Sequence, residues 1–78
     1  LNVLVAPNPF GDATHLTFDN PAGDLYQVDI VNLNGEVVRS YPDVSNGRLE
    51  IDRSELAPGV YMFRLSGKNN YMGKLVVQ

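Results

Sequence analysis

Apolar and polar residues alternate along most of this chain, and turn-forming residues break the alternation about every ten positions, a rhythm of short strands. Over Thr14–Phe18, Leu16 and Phe18 fall on one side while His15 and Thr17 fall on the other. In the next segment Tyr26, Val28 and Ile30 share a face and Gln27 and Asp29 point away, which predicts a half-buried strand. Glu36–Tyr41 reads as a fourth segment. Leu49 and Ile51 then alternate with Arg48, Glu50 and Asp52. Val60–Leu65 sets Tyr61, Phe63 and Leu65 against Met62 and Arg64, and Tyr71–Val77 closes the series. At the start, Leu1–Ala6 is a short apolar run stopped by Pro7 and Pro9, which permit extended or turn backbone but no central ladder position.

The connections carry equal information. Asn34-Gly35 and Asn46-Gly47 supply the positive φ that a tight hairpin needs, and each lies between strand-like segments. Gly67–Asn70 is a third hairpin loop, and Asn20–Asp24 is a turn marked by Pro21 and Gly23. Asp52–Leu56 is the one stretch suited to a helical turn, capped by Asp52 or Ser54 and stopped before Pro58. Pro58-Gly59 suits the centre of a type II turn, and Tyr61 just beyond it fits the tyrosine corner of immunoglobulin-like and fibronectin type III folds. The expectation is an all-β domain: a seven-stranded antiparallel immunoglobulin-like β-sandwich with Greek-key connections. Leu16, Phe18, Val28, Ile30, Leu49, Ile51, Phe63 and Val76 form its expected core.

Composition narrows the class. Seventy-eight residues make a single domain, 1–78, and a hydrophobic fraction of 44% with 19% charged residues suits a folded one. Cysteine is absent, so no disulfide staples this small chain. That reads most simply as a cytosolic protein; the other option is a module carried on a larger exported one, and composition alone does not choose between them. The net charge of −3 comes from charges scattered singly, with no basic run, so nucleic acid is not an expected partner. Leu75-Val76-Val77 is far too short for a membrane span. No signal peptide opens the chain and residue 1 is Leu, so it is expected to be a piece excised from something longer.

Candidate chemistry is sparse. The single histidine, His15, falls on the polar face of a predicted strand, where a solvent-facing role is the ordinary one. A serine triad would have to be assembled around it from Ser40, Ser45, Ser54 or Ser66, and one histidine without cysteine cannot make a structural zinc site. Asp19, Asn20 and Asp24 offer hard oxygen ligands for calcium, but their spacing matches no calcium loop and suits an ordinary turn. Gly67–Lys74 departs from the phosphate-loop spacing and has Leu75 where a magnesium-binding hydroxyl belongs. Phe10, Tyr41 and Tyr71 are the aromatics left for exposure, too dispersed for a sugar platform. No catalytic, cofactor or metal residue is assigned, and no enzyme activity is expected.

Four motifs in order supply what the chemistry does not. Pro7-Asn8-Pro9-Phe10 opens the chain; a central strand runs into the turn at Gly35; Leu56, Gly59 and Tyr61 form a Leu-x-x-Gly-x-Tyr element; and Lys74-Leu75-Val76-Val77-Gln78 ends it. Together they resemble the C-terminal sorting domain of the type IX secretion system (type A, Por secretion system), over nearly the whole chain. One departure is Gln78, where the family commonly finishes with a basic residue. The resemblance implies a non-catalytic secretion signal for a cargo fused N-terminally. Such cargo passes through the periplasm, the domain meets the outer-membrane translocon, and a sortase-like peptidase removes it. The cargo is then anchored at the cell surface or released. Translocon recognition would fall on Lys74, Leu75, Val76, Val77 and Gln78, whose strand could also pair with a partner strand at a sheet edge. The other reading is an immunoglobulin- or fibronectin-like accessory or carbohydrate-binding module of a secreted hydrolase.

Overall fold

A computed structural model describes residues 2–78, so Leu1 of the first predicted segment lies outside the described residues. Seven strands form: β1 (Val3–Ala6), β2 (Ala13–Phe18), β3 (Tyr26–Val31), β4 (Val37–Val44), β5 (Arg48–Asp52), β6 (Gly59–Ser66) and β7 (Tyr71–Val77). They build two antiparallel sheets, one ordered β1-β2-β5 and the other β4-β3-β6-β7. The period-2 faces meet between the sheets as expected. Leu16, Val28, Ile30, Ile51, Leu65 and Leu75 are fully enclosed, and Phe18 meets Tyr26 edge-on with ring centroids 5.1 Å apart.

Several local expectations change in the assembled sandwich. Val76 is only half-buried on the outer face, and Leu75 and Val77 enter the core in its place. Leu49 is partly buried and packs against the core from the β5 edge. Phe10, assigned above to the exposed aromatics, is 1% exposed. The fourth strand continues past Tyr41 through Pro42 to Val44, which a bulge in its pairing with β3 and its place at the sheet edge allow. No helical turn forms over Asp52–Leu56; the Leu56 N–H bonds the Arg53 carbonyl across a reverse turn with Ser54 at φ 42°.

The Asn34-Gly35 hairpin joins neighbours β3 and β4, as its sequence suggests. Asn46-Gly47 does not make a hairpin. It carries the chain from β4 in one sheet to β5 in the other, and Gly47 is required there for contact rather than reversal. Its φ is 73°, and a Cβ would lie 2.6 Å from the Phe18 carbonyl oxygen. Asn20 braces the same end, with Nδ2 donating to the carbonyls of Asp24 (2.8 Å) and Ser45 (2.9 Å).

The two flanks of the sandwich are closed differently. After β1 the chain leaves the three-stranded sheet, passes two cis prolines, and bridges in parallel from Phe10 to Val77 of the four-stranded sheet. Buried Thr14 anchors the crossing by donating its hydroxyl to the Pro7 carbonyl. On the opposite flank β4 and β5 do not pair. There Arg39 reaches across from β4 and donates to the carbonyls of Asp52 and Arg53, tying one sheet to the other.

Candidate functional site

Lys74–Val77 form the end of β7, an edge strand of the four-stranded sheet, and Gln78 follows it. Alternation divides the segment by role. Leu75 and Val77 point into the core and pair with Tyr61 and Gly59 of β6. Lys74 and Gln78 are exposed, and Val76 is half-buried beside Val60 on the outer face.

The C-terminal part of this strand's outer edge is covered by the first motif. Asn8 donates through Nδ2 to the Lys74 carbonyl (3.0 Å) and accepts at Oδ1 from the Val76 N–H (2.9 Å). Phe10 continues the contact with its backbone, donating to the Val76 carbonyl (3.0 Å) and accepting from the Gln78 N–H (2.9 Å). The motif chemistry follows from this geometry. Pro7 and Pro9 lack N–H groups and cannot act as ordinary ladder residues, so the Asn8 amide, one donor and one acceptor, takes the place of a peptide unit. Phe10 then sinks its ring into the core. The opening and closing motifs are thus two halves of one structure, a strap laid along a terminal strand.

The third motif also acts through the fold. Leu56 is buried, and the Tyr61 hydroxyl donates to the Ala57 carbonyl at 2.7 Å, making the expected tyrosine corner. Gly59 is not the second centre of a type II turn. It opens β6 with φ 151°, in a region essentially open to glycine alone. Gly35 serves its hairpin at φ 86°, where Asn32 Oδ1 accepts from the N–H groups of Asn34 and Glu36.

Alternation alone did not reveal one polar group. Asp29 points to the outer face of β3 as expected, yet its side chain is only 7% exposed. It sits between Ser40 of β4 and Arg64 of β6, directly opposite in both registers. Ser40 Oγ donates to it at 2.7 Å, Gln27 Nε2 at 3.0 Å and Arg64 Nη2 at 3.0 Å. Burial pushes its pKa up, but those three donors and the guanidinium charge outweigh it and hold the carboxyl below its ordinary value of 3.8. The signal was the pair Ser40 and Arg64, visible only once the strands are aligned.

The open β4–β5 flank leaves a shallow cleft of about 730 Å³, with Glu50, Asp52 and Glu55 along it and Tyr41 and Tyr61 in its wall. Asp52 Oδ1 is already taken by Arg39 (3.3 Å) and the Ser54 hydroxyl (2.6 Å). Among the described residues no three His, Cys, Asp or Glu side chains converge on a metal position. His15 stands between Ala6 and Glu50 in the three-stranded sheet. The arrangement offers a braced terminal strand, and among the described residues no hydrogen bond joins His15 to a serine.

A family model for the secretion system C-terminal sorting domain matches residues 4–78. The chain belongs to that family. No curated protein matches it significantly. The sorting domain is a C-terminal signal of the type IX secretion system, so it works joined to a cargo and with that system's machinery. Its destination is secretion through the outer membrane to the cell surface or beyond. No helix among the described residues is long and apolar enough to cross a membrane.

Proposed function

We propose that residues 1–78 act as one excisable, non-catalytic signal unit, and that the translocon reads the outer face of its terminal strand. The family match over residues 4–78 carries the export reading. The recognition surface is inferred from exposure: Lys74, Val76 and Gln78 present side chains to solvent while Leu75 and Val77 hold the strand in place from within. The cargo meets the translocon from the periplasm, and a sortase-like peptidase then separates it from the domain. The motif residues Pro7, Asn8, Pro9, Phe10, Gly35, Leu56, Gly59 and Tyr61 serve by shaping and bracing the unit, because each has a structural partner or backbone demand of its own.

Deleting Lys74–Gln78 would not test this cleanly, because it also removes two core side chains. The decisive variant is Lys74→Glu with Val76→Thr, which alters only the outer face. Fused behind a periplasmic reporter in a host with the type IX system, the intact domain delivers the reporter outside. The double variant is expected to melt like the parent yet leave the reporter in the cell. Export at the parental level would rule out this face as the recognition surface.

A further inference from the structure

The strap covers the edge of β7 only in part. Because Leu75 and Val77 pair inward with β6, the backbone groups of Met72, Lys74, Val76 and Gln78 face outward. Four of these groups are taken: the Lys74 carbonyl and Val76 N–H by the Asn8 side chain, the Val76 carbonyl and Gln78 N–H by the Phe10 backbone. The Met72 N–H, Met72 carbonyl and Lys74 N–H have no partner among the described residues. The two holds also differ in kind. Phe10 is anchored by a ring 1% exposed, whereas Asn8 is a solvent-exposed side chain that water or another peptide group can replace. Beside the open stretch Met72 is 51% exposed, and Lys74 makes no ion pair with a described residue.

We infer that the Met72–Val76 edge is a strand-accepting site, with Asn8 as its displaceable plug and Phe10 as the anchor that keeps the strap in place. An incoming extended segment pairs first with Met72 and the Lys74 N–H, which are open. It then replaces Asn8 at the Lys74 carbonyl and Val76 N–H, so each bond broken is matched by one formed. The occupant is an extended peptide with apolar side chains beside Met72 and Val76 and an acidic one beside Lys74, by charge complementarity. This deepens the reading of the terminal strand as a recognition element and rests on it for its biological setting. The physical claim concerns the isolated domain alone.

The test uses that domain, isotope-labelled, and two synthetic probes: acetyl-Thr-Val-Thr-Glu-Thr-Val-Thr-amide, whose Val and Glu share one face at the spacing of Met72, Lys74 and Val76, and the same peptide with Lys for Glu. Backbone amides are followed by NMR in the parent and in Asn8→Ala. Without probe, the Val76 amide is expected to exchange about tenfold faster in Asn8→Ala, while Leu75 and Val77, bonded to β6, keep their protection. The Glu peptide is expected to shift Met72, Lys74 and Val76 saturably, to bind Asn8→Ala about fivefold more tightly than the parent, and to outbind the Lys peptide. Unchanged Val76 exchange would remove Asn8 as the plug. Equal affinities for the two proteins, shifts scattered over other strands, or no saturable binding would each overturn the inference. None of these measurements involves the translocon, so failure here leaves the export assay standing, and failure there leaves this one intact.

Discussion

Replacing Asp29 by Asn tests whether a buried charge helps hold the four-stranded sheet together. The substitution keeps the shape and one acceptor oxygen, so Ser40 and Gln27 retain a partner, but it turns an N–H donor toward the Arg64 guanidinium 3.0 Å away. A hydrogen bond to a charged group contributes about 1.5–3 kcal/mol net when shielded from water. The Arg64 side chain is 40% exposed, so solvent screening brings its share down toward the ~0–1 kcal/mol of a surface pair. Together these give an expected loss of about 1–2 kcal/mol at pH 7, or about 4–8 °C in Tm per kcal/mol for a domain of this size. A cycle with Arg64→Met should return a coupling of about 0.5–1 kcal/mol.

The pH dependence gives a second, independent readout. The folded carboxyl titrates below its ordinary value of 3.8, so its contribution is complete above that value and fades as pH falls through the lower folded pKa. Urea midpoints of parent and Asp29→Asn should therefore lie furthest apart near neutrality and converge only as pH falls below 3.8 and through the lowered folded pKa. Convergence is not expected between pH 5 and 7, where the carboxylate stays ionised. A zero coupling energy together with a gap that does not change with pH would show that Asp29 is held by neutral hydrogen bonding alone.

Three further outcomes follow from the same geometry. Tyr61→Phe loses the 2.7 Å bond to the Ala57 carbonyl and should cost about 0.5–1.5 kcal/mol in a urea melt. Gly59→Val should cost about 1–3 kcal/mol from backbone strain alone, because a Cβ there meets nothing within 4 Å; an unchanged midpoint would mean the φ of 151° relaxes freely. Phe10→Ala should cost about 3–5 kcal/mol, enough to unfold much of a small domain at 37 °C, while Phe10→Leu stays folded by circular dichroism.

Strand existence was legible because six or seven residues suffice to show a period of two, and every predicted strand is present. What the sequence hides depends on where a strand goes next. Asn46-Gly47 announces a turn truthfully, but nothing local says whether the chain returns beside β4 or crosses to β2. Leu75-Val76-Val77 is uniformly apolar, so it carries no parity, and only the register with Tyr61 and Gly59 decides which residues face inward. Asp29 was placed on the correct face with the wrong solvent, because the groups that bury it come from strands 11 and 35 residues away. The terminal motifs were visible as words and not as a sentence. Asn8 and Val76 are 68 residues apart, and their bonding cannot be read from either segment alone.

The parallel bridge between Phe10 and Val77 also sets how this domain bears a load. The strap and β7 run in the same direction, so a pull from the N-terminal side that has passed β1 and its pairing with β2 draws the strap backward, while a pull on the last residues draws β7 forward. Tension between the two ends therefore slides one segment along the other, and the Asn8 and Phe10 bonds share the force and must yield together. A hairpin pulled open at its mouth breaks its bonds in turn and offers far less resistance. The placement of Asn8 and Phe10 against Lys74–Gln78 thus loads these bonds side by side, in shear, along the direction the two segments share.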